Sequence, residues 1–156
     1  MKVLIDSNII LEVILQREEF EVANCLLETL YKDKHDMLLT SGSFYGMLYT
    51  VDKYLRKEMK LANPERANTL RSIMAKVLSL MSVAGHDKES LLRGINDSNF
   101  TDLEDSCQHQ AAAKAGCDCL ISFNMKDYAS GASMKALTPQ EFLDSYLKGT
   151  DTENLQ

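Results

Sequence analysis

Five side chains in this sequence offer oxygen atoms in places where chemistry is commonly done: Asp6, Asp102, Asp105, Asn124 and Asp127. Asp6 ends the apolar run of KVLIDSN and is followed by two small polar residues, Ser7 and Asn8. Asp102 and Asp105 stand three apart in NDSNFTDLED, a spacing that puts two residues of a helical turn on one face. Asn124 and Asp127 follow a second apolar run. Clustered carboxylates repel and raise one another's pKa unless a cation joins them. Mg²⁺ and Mn²⁺ prefer such hard oxygen ligands. A divalent ion held this way can activate water for in-line attack on a phosphodiester. The alternative use of each acid is a helix cap or a solvated surface charge, and for Asp6 in particular a cap on the next helix. The set suggests metal-assisted phosphoryl chemistry, with both uses open.

The elements that must bring these residues together follow from hydrophobic periodicity. Val3, Leu4 and Ile5 suit a strand buried on both faces, as in a parallel sheet. Helical spacing resumes at Ile9, Ile10, Val13 and Ile14, ending near Gln16, and a second amphipathic stretch starts at Phe20. Residues 37–39 form the next strand, and 42–57 a helix with Phe44, Met47, Val51 and Leu55 on one side. Asn63-Pro64-Glu65 predicts a helix start with Asn63 as cap and Pro64 in the first position. A short strand is expected over 82–84, a helix capped by Asp87, and a helix capped by Thr101 or Asp102 that stops at Gly116. Residues 117–122 and 135–137 read as two more strands. Thr138-Pro139-Gln140-Glu141 reads as a capping box opening a last helix that ends near Leu147. Strands alternating with helices predict an α/β fold, a three-layer α/β/α sandwich of Rossmann-like type around a central parallel sheet of four to five short strands. One domain over 1–148 and a polar tail over 149–156 are expected. Ligands of such sheets bind at the carboxyl ends of the strands.

Composition bounds the function. The 156 residues carry a formal net charge of −6, which argues against simple coating of nucleic acid but not against a nuclease with a carboxylate site. The clear basic cluster lies over 53–60, with Lys53, Arg56, Lys57 and Lys60; it reads as a solvated helix end or as a contact for a phosphate backbone. No apolar run approaches the roughly 20 residues that span a bilayer, and charged and polar residues interrupt any signal-peptide core, so a cytoplasmic protein without membrane contact is expected. Cys25, Cys107, Cys117 and Cys119 form no C-x-x-C pair and are expected to be reduced thiols. His109, two residues after Cys107, reads as a helix histidine rather than a ligand. No G-x-G-x-x-G, P-loop or G-x-S-x-G motif is present. Asn8 occupies the place of the second acid of a dehalogenase-type aspartyl-phosphate enzyme, and Ala84-Gly85-His86 does not suit a phosphorylated receiver.

With these residues in view, the chain resembles the PIN (PilT N-terminus) domain family of VapC-like toxin ribonucleases. KVLIDSNIILEVILQRE is similar to the family's opening strand, acid and helix. FTDLEDSCQHQAAAKAGCDCLISFNMKDY is similar to its second signature, and ALTPQEFL to its ending. The resemblance implies Mg²⁺- or Mn²⁺-dependent cleavage of RNA. It matches Asp6 to the first family acid, Asp105 to the third, Asp102 to an extra acid and Asn124 to the place of the fourth, with Asp127 close behind. Ser7 and Asn8 match the small polar neighbours of the first acid. An antitoxin protein and a homodimer are the partners it implies besides RNA. The second family acid belongs near Gly46, where SGSFYGML has no carboxylate. Two readings therefore stand: a metal-dependent endoribonuclease, with Asp6, Asp102 and Asp105 catalytic, Asp6, Asp105, Asn124 and Asp127 on the metal, and Ser7, Asn8, Lys53, Arg56 and Lys57 on substrate; or a PIN-like module that binds RNA or a protein partner without cutting.

Overall fold

A computed structural model describes residues 1–126, 128 and 134–153, with side chains described up to Tyr146. The elements are β1 (Lys2–Ile5), α1 (Ser7–Leu15), α2 (Phe20–Lys32), β2 (Asp36–Thr40), α3 (Ser41–Lys57), α4 (Glu65–Leu80), β3 (Ser82–Ala84), α5 (Lys88–Asn96), α6 (Leu103–Ala115), β4 (Cys119–Ile121), β5 (Lys135–Leu137) and α7 (Pro139–Glu153). The five strands form one sheet in the order β3-β2-β1-β4-β5, with every pairing parallel. The chain winds outward from β1 to β3 on one side, then crosses to β4 on the other. The switch point lies between β1 and β4, where open α/β sheets leave a crevice.

Alternation along the strands creates two cores. Val3, Ile5, Leu39 and Ile121 face the layer of α1, α2, α3, α4 and α7, meeting Ile9, Leu26, Met47, Met74 and Phe142. Leu4, Leu38 and Leu120 face the layer of α6, meeting Phe100 and Ala112. Val3, Leu4 and Ile5 are fully buried, and each contributes about 1.5–3 kcal/mol of apolar burial. Because β1 is sealed on both faces, Asp6, the next residue, is held at one height.

α5 packs differently. It buries Ser90 and Gly94 against α6 and leaves Leu91, Leu92 and Ile95 exposed. A Cβ on Gly94 would lie 2.7 Å from the Cys107 sulfur and 3.0 Å from its Cα, so the two helices approach as only glycine permits. The Ser106 hydroxyl donates to the Gly94 carbonyl at 2.8 Å and fixes that contact.

The predicted fold class is the one observed, with differences at element ends. α4 begins at Glu65 with Pro64 in the cap position and no side-chain cap bond, so Asn63 does not cap it. β4 is confined to Cys119–Ile121, because the Cys117 N–H is committed to the Ala112 carbonyl (3.0 Å) in the turn that ends α6. Gly116 ends α6 at φ 70°, as its place in the sequence predicts. Thr138 and Glu141 form the expected reciprocal cap, the Glu141 carboxylate accepting from the Thr138 N–H (2.8 Å) and the Thr138 hydroxyl from the Glu141 N–H (3.2 Å). α7 continues to Glu153, past the end near Leu147 that the sequence suggests. Among the described residues no helix is long and apolar enough to cross a membrane.

Candidate active site

Asp6 leaves β1 with its N–H still in the ladder, donating to the Ile121 carbonyl at 3.0 Å. The register pairs Ile5 with Ile121, which sets Asp6 level with Ser122. The Ser122 hydroxyl donates to the Asp6 carboxylate at 2.6 Å. The cap bond from the Asn8 N–H to Asp6 is longer, 3.4 Å, as is the bond from the Ser7 hydroxyl. The short bond is of the charge-assisted kind and dominates; Asp6 is therefore aimed at β4 more than at its own helix. It is 5% exposed, and no lysine or arginine pairs with it among the described residues.

Ser122 carries the arrangement onward. Its oxygen accepts from the Asn124 N–H at 2.9 Å and from the Asn8 amide at 3.4 Å. The Asn124 side-chain amide donates to the Asp105 carboxylate at 3.0 Å. Asp105, 6% exposed, sits in the first turn of α6. Two buried carboxylates from distant parts of the sequence are thus bridged by a Ser–Asn clamp after β4. The Tyr128 hydroxyl reaches the Asp105 carbonyl at 3.4 Å. Its proton is held far above the ordinary tyrosine range, first by burial, then by the negative charge of Asp105, Asp6 and Asp102. Tyr128 thus stays neutral while it registers all three acids.

The other expected residues are placed as follows. Asp102 is the N-cap of α6, in extended conformation (φ −94°, ψ 114°), accepting from the N–H groups of Glu104 (2.8 Å) and Asp105 (3.4 Å). Asp102 is exposed where Asp105 is buried, and from the cap position it fixes the turn on which Asp105 stands. Asn124 turns its amide nitrogen, not its carbonyl, toward Asp105. Asp127 lies outside the described residues. Gly46 is exposed on α3, and a Cβ there would meet nothing within 4 Å. Lys53, Arg56 and Lys57 are exposed on the last turns of α3. Lys53 stands about 18 Å along the helix from Ser41, at 1.5 Å per residue. Lys53 and Lys57 line a separate cavity of about 270 Å³ with Arg17 and Glu58, so the structure does not bring the basic cluster to the carboxylates.

Two residues with roles here escaped the sequence reading: Ser122 and Tyr128. For Ser122 a signal existed, since it leaves β4 as Asp6 leaves β1. His109 is buried beside Phe100, ring centroids 5.3 Å apart, and burial lowers its pKa. The four cysteines are free thiols, and burial pushes Cys119 up to about 11.

The donor set can be tested against a small dication. Among the described residues no group of three or more His, Cys, Asp or Glu side chains is placed to hold a metal. Mg²⁺, however, keeps several waters and commonly takes one or two carboxylates. Asp6 and Asp105 supply that number. The side-chain oxygen of Asn8, whose amide nitrogen donates to Ser122, is also buried and has no hydrogen-bond partner. Two buried acids and an orphaned acceptor offer oxygen donors of the kind a hydrated dication takes.

A family model described as "PIN domain" matches residues 2–126. The chain is 24% identical over 150 residues to ribonuclease VapC1 of Aquifex aeolicus (strain VF5), covering 93% of this chain and 95% of that protein. It superposes on FitAcB from Neisseria gonorrhoeae with a TM-score of 0.66 at 15% identity, covering 88% of this chain and 98% of the other. VapBC2 from Rickettsia felis bound to a DNA fragment from its promoter gives 0.63 at 14% identity, with 88% and 98% covered. The family match runs from the first strand through the Ser–Asn clamp that joins the two acids, and the chain belongs to the PIN domain family.

Proposed function

We propose that this PIN domain is an endoribonuclease dependent on Mg²⁺ or Mn²⁺, the toxin of a toxin–antitoxin pair. The observation that carries this reading is the bridge Asp6–Ser122–Asn124–Asp105, which holds two buried carboxylates together at the crevice of the sheet. The similarity to a protein named as a ribonuclease supports it.

Asp6 and Asp105 would hold the cation, with the Asn8 oxygen adjacent. When bound, the cation supplies a neutralising charge and an activated water for attack on the RNA phosphodiester. Ser122 fixes the rotamer of Asp6 and Asn124 that of Asp105. Asp102 pins the first turn of α6 and so positions Asp105. Tyr128, a neutral donor closing the buried side, keeps bulk water from the acids. Ser7 flanks the position of the reacting phosphate. Lys53, Arg56 and Lys57 are assigned to RNA phosphates outside the crevice, because they are exposed cations on an otherwise acidic chain. The partners in this reading are an antitoxin protein and a second copy of the chain, in a cytoplasmic setting; the outward Leu92, Ile95 and Leu103 give a protein partner an apolar surface to cover.

Purified protein with Mn²⁺ should cleave single-stranded RNA, and Asp6→Asn should not. Equal cleavage by both proteins would remove the mechanism. One observation favours a non-cutting module instead: Gly46 leaves the second family acid without a carboxylate. Titration of Mn²⁺ separates the two, since a module without a metal site shows no saturable binding at millimolar concentration.

A further inference from the structure

Beside the carboxylates, at the end of the neighbouring strand β2, lies a concavity. It has a volume of about 290 Å³ and is lined by the first turn of α3, by His86, and by Leu91, Glu104, Cys107 and Gln108, with Tyr45 at its edge. That volume is at the small end of ligand pockets. Its place relative to the acids is set by register. β1 pairs β2 with Leu4 opposite Leu38, so Thr40 in the cavity wall is level with Asp6 on the adjacent strand, about 4.8 Å away. Glu104, on the opposite wall, directly precedes Asp105. Any group seated here is a near neighbour of whatever the carboxylates hold.

The lining has the chemistry of a nucleobase site. Gln108 is 4% exposed, and its side-chain oxygen has no hydrogen-bond partner, a state that buried polar atoms seldom keep. A primary amide offers one acceptor and two donors, the pattern that pairs with the edge of a base. Leu91 and Cys107 supply apolar walls. Tyr45 is 70% exposed and holds a T-shaped contact with Phe44 at 5.9 Å, so an aromatic face stands at the edge of the cavity for a base to stack on. The Ser41 hydroxyl and His86 Nδ1, 3.2 Å apart, close the end nearest β3. None of these residues has a role in holding the metal.

We propose that this cavity takes the base of one unpaired RNA nucleotide, with Gln108 reading its edge and Tyr45 stacking on its face, so that the phosphate of the same nucleotide is delivered to Asp6 and Asp105. The proposal rests on the ribonuclease reading and adds to it a specificity feature: one unpaired base beside the cut is read. Paired bases are excluded, because a base already stacked in a helix cannot enter a cavity of this size.

The test uses the full chain without metal, in EDTA, so that no turnover intervenes. The four nucleoside 5′-monophosphates and abasic ribose 5-phosphate are titrated while the side-chain amide resonances of Gln108 and the backbone amides of 41–45 are followed by NMR. At least one nucleotide should shift these signals and bind roughly tenfold more tightly than the abasic sugar phosphate, the difference being the stacked and hydrogen-bonded base. Gln108→Met should level the preference among bases while leaving the spectrum folded. Tyr45→Ala, at an exposed position, should weaken all four alike. Binding of ribose 5-phosphate as tight as that of every nucleotide overturns the proposal, as does a base preference that survives Gln108→Met. If nucleotides bind as expected but Mn²⁺ supports no RNA cleavage, the base site stands and the ribonuclease reading falls. Cleavage without base-dependent binding has the opposite meaning.

Discussion

The crevice at Asp6 and the far end of α3 are both charged, and they are built by opposite rules. In the crevice two carboxylates are nearly buried, and Asp6 is held by a 2.6 Å bond from Ser122. At the end of α3, Lys53, Arg56 and Lys57 stand in solvent on flexible stems. Burial makes a charge costly unless it is partnered, so every side chain around the acids is committed in direction. Exposure removes that demand, so the cations can be moved or replaced with little structural consequence. The first region can position an atom, whereas the second can only raise the local concentration of something negative.

The largest expected effect attacks the positioned side. Asp6→Asn should reduce Mn²⁺-dependent RNA cleavage, measured under single-turnover conditions, by more than the 10- to 100-fold that outer partners of a metal ligand cost. A loss under tenfold would place Asp6 among the caps. Ser122→Ala leaves the acid but frees its rotamer; calorimetric titration should show Mn²⁺ affinity lower by about 10- to 100-fold. If affinity is unchanged, the clamp is not what aims Asp6.

The scaffold offers the same contrast in glycines. Gly94→Ala pushes a methyl into the Cys107 backbone and should lower stability by about 1–3 kcal/mol, read from the urea midpoint. Gly46→Ala enters open space on a helix and should raise it by about 0.5–1 kcal/mol. Reversed signs would mean that α5 and α6 are less tightly joined than they stand here.

A pH series probes burial directly. Burial lowers the His109 pKa, against a smaller opposing pull from Asp97, so the folded protein binds this proton less readily than the unfolded chain. Its contribution is complete above about pH 6.5 and is lost as pH falls from there toward the depressed folded value. His35, also lowered by burial, adds to the same limb. In His109→Leu the fall in melting temperature between pH 6.5 and 5 should be shallower.

The smallest effect belongs to the exposed side. Lys53→Gln with Lys57→Gln should change stability by less than about 0.5 kcal/mol. If each contacts one phosphate, the slope of log affinity for single-stranded RNA against log salt should flatten by about 0.7 per lysine. An unchanged slope would make the cluster a solvated helix end.

Elements with strong periodicity or clear punctuation were legible in the residues: the buried run of β1, Gly116 at the end of α6, and the Thr138–Glu141 cap. Asn63 misled because its type suits a cap while the chain path past Pro64 does not. The acids were legible as acids, yet not their burial: Asp102 caps α6 in solvent while Asp105, in its first turn, is buried. Ser122 looked like the polar end of a strand. Its importance comes from a partner 116 residues away.

Local sequence determined which segments would be strands and helices here, because buried runs, amphipathic spacing and capping residues act over a few positions. It determined too that acidic groups would stand at strand ends and helix starts. Only the tertiary structure decided which of them meet. Strand order places β4 beside β1, register sets Ser122 level with Asp6, and the close α5–α6 seam orients the turn that carries Asp105. Those relations are long-range, and a side chain's worth as a ligand or a lever depends on what the rest of the chain brings within hydrogen-bond reach.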